Sequence, residues 1–258
     1  MLNIVKIGGN IIDNEAELLP FLKDFATISN PKILVHGGGK LATRLAEKLG
    51  IQTTMIDGRR VTDAETLQVA TMVYAGWINK SIVAQLQSVK CNAIGLSGAD
   101  ANLVPAVRRS PEPVDFGCVG DIQSHRISIK MLKDMFDRSL TPVFCSITHD
   151  GNGNLLNSNA DSIASALAVA MAGIVPVRLV FCFEKTGVLT DINNEDSYIR
   201  YIYPEKYEEL REEGAISEGM IPKLDNAFSA LKMGVKEVLI KHAKNVTKGI
   251  GTVITLEE

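Results

Sequence analysis

Residues able to bind a soft metal or form a redox pair are few in this sequence. Its four cysteines, Cys91, Cys118, Cys145 and Cys182, are spread through 258 residues without a CxxC pair. Each lies in or beside an apolar run, where a free buried thiol is the expected state. The four histidines, His36, His125, His149 and His242, are too dispersed to give the ligand spacing of a zinc site. Charge of one sign is scarce too: the formal net charge is −3, which removes the basic surplus that a nucleic-acid or acidic-membrane partner calls for. Long hydrophobic runs are missing. The greasiest stretch, "IVPVRLVFCF", contains Pro176 and Arg178 and is too short to span a bilayer. Lys6 and Asp13 interrupt the N-terminus before a secretory signal could form. A cytoplasmic protein with neither membrane nor nucleic-acid partner is therefore expected. Also absent are the GxxxxGK[ST] phosphate loop and a GxGxxG fingerprint behind a strand, which weighs against a nicotinamide-dependent oxidoreductase. Repeats, low-complexity tracts and a convincing linker are not found.

What is present is a rhythm of short apolar runs and helical patterns. Strands are predicted at 2–7, 32–36, 92–96, 142–147, 178–183, 237–240 and 252–256. Helices are predicted at 15–27, 39–49, 63–88, 129–138, 160–172, 204–212 and 223–233. Several strand candidates are nearly continuous in apolar residues, as strands covered on both faces should be. The alternation predicts an α/β fold with a mainly parallel sheet between two helical layers. Segment 103–128 reads differently: "LVPAVRR", "CVGDI" and "HRISI" look like short hairpin strands at an edge. The chain reads as one compact unit whose two halves meet near residue 175.

The first two strands each end in glycines, as Gly8-Gly9-Asn10 and as "HGGGK", His36 to Lys40. A single Gly-Gly after a strand is commonly only a turn. Two of them after consecutive strands open on the same edge of a parallel sheet, where ligands bind, and bare glycine amides suit a closely approaching anion. Further along, "DGRRVTD" (57–63) places Arg59 and Arg60 before a helix start at Asp63. Either arginine can hold a carboxylate with its planar fork or stand solvated at the surface. In "NLLNSNADSIASALAVAMAG" (154–173), Asn157 and Asn159 alternate and so share one side of an extended segment. Asp161 or Asn159 can cap the helix that follows, but capping explains only one polar residue of the N-S-N-A-D cluster. Lys223, next to Pro222 at another helix start, opposes the helix dipole. It either meets an anion there or bends out to water.

Taken together, these segments resemble the amino acid kinase family. The resemblance spans the whole chain in order: K-x-G-G at Lys6–Gly9, HGGG at His36–Gly39, G-x-R-V-T at Gly58–Thr62, N-x-N-A-D at Asn157–Asp161 and G-M-x-x-K at Gly219–Lys223. It implies a three-layer αβα sandwich with an open, mainly parallel sheet of about eight strands. Residues 1–175 would bind an acylated amino acid and dimerise; residues 176–258 would bind ATP with Mg²⁺. The implied reaction moves the ATP γ-phosphoryl group to the side-chain carboxylate of an N-acylated glutamate, acetyl or succinyl, as the second step of arginine biosynthesis. By the same resemblance Lys6 and Lys223 flank the transferring group, and Asp161 orients them. Gly8, Gly9, Gly37 and Gly38 hold its oxygens, while Gly38, Gly39, Arg60, Asn157 and Asn159 fix the acceptor. No protein residues are assigned to the metal.

Two departures stand out. "FCFEKTGVLTD" (181–191) replaces the TDVxGV-like turn common near the adenine of relatives, so the adenine contacts stay unassigned. The chain also opens directly on its first strand, whereas arginine-inhibited relatives carry an extra N-terminal helix. A homodimer insensitive to arginine is thus expected, with Val69, Met72, Val73, Trp77 and Val83 of 63–88 as either interface or core. The alternatives are a uridylate or carbamate kinase type and a non-catalytic amino-acid or nucleotide sensor on the same fold.

Overall fold

The computed structural model describes residues 1–56, 59–216 and 220–257. Among the described residues eight strands form the central sheet: β1 (Leu2–Ile7), β2 (Lys32–His36), β3 (Ala93–Leu96), β4 (Thr141–Phe144), β5 (Val177–Phe183), β6 (Tyr201–Ile202), β7 (Glu237–His242) and β8 (Thr252–Ile254). Their spatial order is β6-β8-β7-β5-β1-β2-β4-β3. Every neighbouring pair is parallel except β7 with β8. The two halves of the chain share this sheet, because β1 pairs with β5 along its whole length.

Period-two alternation inside the strands explains the three layers. Leu2 and Ile4 of β1, Ile33 and Val35 of β2, and Leu179 and Phe181 of β5 pack into one apolar cluster with helices Ala160–Ala172 and Ile221–Lys232. Val5 and Ile7, Leu34, and Val180 and Cys182 face the other way, into a second cluster with helix Glu15–Thr27 and the helical stretch 64–88. Both faces are buried, so the strands read as continuous apolar runs. Cys91, Cys145 and Cys182 are buried free thiols, and Cys118 is partly exposed.

The expected α/β sandwich is what the chain forms, with four local differences. "HRISI" is not a strand: Ser124–Arg126 is a 3₁₀ turn, and the Ser128 N–H donates to the Leu103 carbonyl at 3.1 Å, turning the chain into helix Ile129–Asp137. The hairpin partner of Ala106–Arg108 is Gly120–Ile122. The 142–147 run divides between β4 and a separate ladder, Ile147–His149 with Leu155–Asn157. β6 is only two residues long, below the reach of any periodicity. The helix at 39–49 starts later, at Leu41, because Gly39 takes φ +53°, outside the right-handed helical region.

The 63–88 stretch is continuous but not uniform. It runs as α-helix Ala64–Thr71, a π-helical segment Met72–Ile78, and α-helix Asn79–Ser88. Its candidate interface residues separate accordingly. Val69 and Val73 are core, Val83 packs against that core, and Met72 and Trp77 stand 54% and 70% exposed.

Candidate active site

The glycine turns behind β1 and β2 lie at the carboxyl end of the sheet, and they touch. A Cβ on Gly9 would come within 2.7 Å of the Gly39 Cα, so neither turn tolerates a side chain there. Gly8 donates its N–H to the Cys182 carbonyl of β5 at 2.9 Å and lies against Phe183. Gly37 faces Ala160 in the first turn of helix Ala160–Ala172. Gly38 sits on the ring of Tyr74, where a Cβ would overlap the ring atoms at 1.4 Å. Asp13 links the two turns from outside. Its carboxylate accepts the Lys40 N–H at 2.7 Å and pairs with Arg44 at 3.3 Å.

Lys6 follows Leu2 and Ile4 on the β1 face that meets helix Ala160–Ala172. Its ammonium is 2.8 Å from Asp161, in that helix's first turn. Lys223, in the first turn of helix Ile221–Lys232, comes to the same place from the other half of the chain. Its ammonium lies 4.7 Å from the centre of the Phe183 ring, a cation–π arrangement. Burial holds the Lys223 ammonium below its ordinary range, Asp161 pulls it back up, and the nearby Lys6 charge lowers it further. The two lysines and Asp161 therefore form one interacting group. Glu184, just beyond β5, accepts from the Asn10 amide at 2.9 Å and also raises the Lys223 value.

Arg60 donates to the Thr43 hydroxyl at 2.7 Å and lies near the Tyr74 hydroxyl, whose pKa burial raises and Arg60 lowers. This places the guanidinium beside the second glycine turn. Of the motif "DGRRVTD", Asp57 and Gly58 lie outside the described residues, as does Gly219 of the Lys223 motif. The N-S-N-A-D cluster is largely occupied in holding the fold. Asn159 caps helix Ala160–Ala172, its side-chain oxygen accepting from the Asp161 and Ser162 N–H groups at 2.7 and 3.2 Å. Asn157 donates to the Thr62 hydroxyl at 3.1 Å. Ser158 donates to the Gly120 carbonyl at 2.9 Å and bonds Thr148 at 2.8 Å. Segment 117–118 lies between Thr62 and Asn157 by backbone hydrogen bonds to both, so Thr62 and Asn157 belong to one wall.

Next to Lys223 opens a cleft of about 400 Å³, lined by Lys185, Val188, Leu189, Ile216 and Met220 among others. Its floor is the 184–191 turn. Glu195 clamps that turn, accepting from the Thr186 N–H and hydroxyl at 2.9 and 2.8 Å and pairing with Lys185 at 3.0 Å. Partial burial pushes the Glu195 carboxyl up, but these donors outweigh it and bring it to about 2. A wider cleft of about 590 Å³, edged by Arg178, Arg200, Lys241 and Lys248, opens elsewhere and contains none of the candidate residues.

Reading the sequence did not find Asp13, Thr43, Tyr74 or Asn79. Each works through a contact distant in the chain, although Asp13 and Thr43 each stand four residues beyond a motif glycine, Gly9 and Gly39.

Residues 1–242 match the amino acid kinase family. Acetylglutamate kinase of Cytophaga hutchinsonii is 52% identical over 258 residues, covering 97% of each chain. Acetylglutamate kinase of Phocaeicola vulgatus is 50% identical over 253 residues and 98% of each. The crystal structure of smu.665 from Streptococcus mutans superimposes with a TM-score of 0.82 at 25% identity, covering 99% of both chains. With residues 1–242 matched and relatives at 52% and 50% identity over 97% and 98% of the chain, this protein belongs to the amino acid kinase family.

Proposed function

We propose that the chain transfers the γ-phosphoryl group of ATP to the side-chain carboxylate of N-acetyl-L-glutamate, or of the N-succinyl analogue, in arginine biosynthesis. The observation that carries this reading is the meeting of Lys6, Asp161 and Lys223 beside two touching glycine turns. The near-full-length identity to proteins named acetylglutamate kinase supports the choice of acceptor.

Two anions must approach each other. The acceptor carboxylate, with a reference pKa of about 4.3, is already ionised at neutral pH, so no base is needed. One carboxylate oxygen forms a bond to the γ-phosphorus while the bond to the bridging oxygen of ADP breaks, giving an acyl phosphate and ADP. The protein's task is alignment and charge neutralisation. Lys6 neutralises the transferring group from the acceptor side and Lys223 from the nucleotide side. Gly9 and Gly38 offer amides to its oxygens, with Gly37 and Gly8, whose own N–H is held by the Cys182 carbonyl, alongside. Asp161 forms an ion pair with Lys6 and keeps both ammoniums aimed at the phosphorus. Arg60 takes the α-carboxylate. Asn159, whose oxygen is spent on the cap, offers its amide N–H groups to the acceptor, and Gly39 and Asn157 complete that wall.

Residues 176–258 bind ATP, its base in the cleft behind the 184–191 turn; residues 1–175 bind the acceptor. Mg²⁺ would be held chiefly by the ATP phosphates and water, where it would offset phosphate charge. The chain acts as a cytoplasmic homodimer, joined through the exposed Met72 and Trp77. Trp77→Glu is expected to halve the mass measured by light scattering, and an unchanged mass would remove that surface from the dimer.

Hydroxamate and ADP-release assays with ATP and N-acetyl-, N-succinyl- or free glutamate test the reading. Turnover with an acylglutamate supports it. Binding without turnover would leave a sensor, and neither would overturn the assignment.

A further inference from the structure

The turn at Gly37–Gly39 is held from beneath by a buried polar chain to which the proposed chemistry gives no role. His36, the last residue of β2, is fully buried. Its Nδ1 lies 2.8 Å from the Gly37 carbonyl and its Nε2 lies 3.0 Å from the Asn79 amide nitrogen. That amide also donates to the Val143 carbonyl of β4 at 2.9 Å. The Asn79 oxygen accepts from Lys80 at 3.2 Å, and Lys80 reaches the Gly95 carbonyl of β3 at 3.0 Å. Room for this junction comes from Gly95, where a Cβ would fall 2.0 Å from the Asn79 oxygen.

The protonation pattern follows from the partners. An amide nitrogen can only donate, so Nε2 accepts and carries no proton. The remaining proton is on Nδ1, which donates it to the Gly37 carbonyl. Burial, reinforced by the Lys80 charge, lowers the imidazole to about 4, so the ring is neutral at working pH. In a trans peptide the N–H points opposite to the C=O. With the Gly37 carbonyl held towards His36, the Gly38 N–H is turned away from the core.

The helical stretch beneath delivers two supports to this one peptide. Tyr74 carries the Gly38 Cα on its ring, and Asn79 orients His36. In a regular α-helix two positions five apart point about 140° away from each other. Here the Asn79 N–H reaches both the Gly76 and the Tyr74 carbonyls, the second being the i→i+5 closure of a π-turn, and both side chains meet the glycine turn, Tyr74 at Gly38 and Asn79 through His36.

We infer that Asn79 and His36 are positioning residues for phosphoryl transfer. Asn79 fixes the imidazole tautomer, and the imidazole fixes the Gly37–Gly38 peptide so that the Gly38 N–H faces the transferring group. This rests on the kinase reading above, and its test separates the two.

In the long-range ¹H–¹⁵N spectrum of the full-length protein labelled on histidine nitrogen, His36 is expected as the neutral Nδ1–H form. Asn79→Leu is expected to abolish that single form. The same variant should lose about 10²-fold or less in kcat, the scale of a misplaced reacting group, while KM for the acylglutamate and ATP stays near wild type. His36→Asn keeps an amide nitrogen at the Nδ1 position and should retain most of the turnover, whereas His36→Gln, whose nitrogen lies at the Nε2 position, should not. An Nε2–H tautomer in the wild type would overturn the inference. So would equal turnover of His36→Asn and His36→Gln, or Asn79→Leu losing melting temperature with kcat per folded molecule unchanged. If the wild type turns over no acylglutamate, the kinase reading falls alone, and the tautomer spectrum still decides the role of Asn79.

Discussion

The rim of the cleft formed by residues 8–13 and 36–44 is braced from several directions, by Tyr74, Asp13, His36 and the contact of Gly9 with Gly39. The rim that brings in Lys223 rests on the Phe183 ring and on the fields of Asp161, Lys6 and Glu184. The difference teaches where each half spends its rigidity. Bare amides work only if the peptide plane is fixed, so the glycine rim needs braces. An ammonium on a four-carbon stem can find a phosphate oxygen from a loosely set base, so the lysine rim needs only the right charge environment.

Removing either cation is the hardest blow to this division. Lys6→Ala and Lys223→Ala are each expected to fold normally and lose about 10²–10³ in kcat; near-normal turnover in either purified variant would refute that lysine's role. The next largest effect falls on the braced rim. Gly38→Ala drives a methyl into the Tyr74 ring, and overpacking of this kind costs about 1–3 kcal/mol. Denaturant melts should show that loss together with reduced turnover, and a variant as stable and as active as wild type would mean the rim is not tightly braced.

A pH profile sharpens the comparison on the other rim. In its proposed role Lys223 acts while protonated, and burial lowers its folded-state pKa. Activity is present below that pKa and lost as pH rises through it, so the alkaline limb of kcat/KM lies below the range of an ordinary lysine. Asp161 raises the Lys223 value. Asp161→Asn should therefore shift the limb to lower pH, and a shift upward would contradict the coupling. The smallest effect is expected at Glu195. Glu195→Gln loosens the 184–191 turn and should raise KM for ATP a few-fold at most, with kcat unchanged; a kcat effect would place the turn closer to the chemistry.

The sequence revealed most where function sits directly behind a strand. Lys6, the glycine turns and the Asn159 cap are local features, each legible from a few neighbouring residues. The α/β architecture was equally plain, because apolar runs buried on two faces leave little ambiguity. The braces were hidden for the opposite reason. Lys40 with Asp13, His36 with Asn79 and Asn79 with Val143 lie 27, 43 and 64 residues apart. Nothing local marks Asn79 as buried, for its helix reads as amphipathic and the π-turn that redirects it leaves no periodic trace. The N-S-N-A-D cluster taught a subtler lesson. Its density of polar groups pointed to a ligand, yet Asn157, Ser158 and the Asn159 oxygen each satisfy a neighbouring hydroxyl or backbone group. Packing demands and ligand demands draw on the same residue types there.

The contact between Gly9 and Gly39 leaves no gap for even one added carbon. On the proposed reading, donor and acceptor supports are thus locked at a single spacing, like the jaws of a fixed-gauge caliper. A longer acyl tail would then find its space at the far wall, around Arg60 and Cys118, because the jaws would not slide. Retargeting the proposed reaction to another acceptor would redesign that wall and leave the path of the phosphorus unaltered.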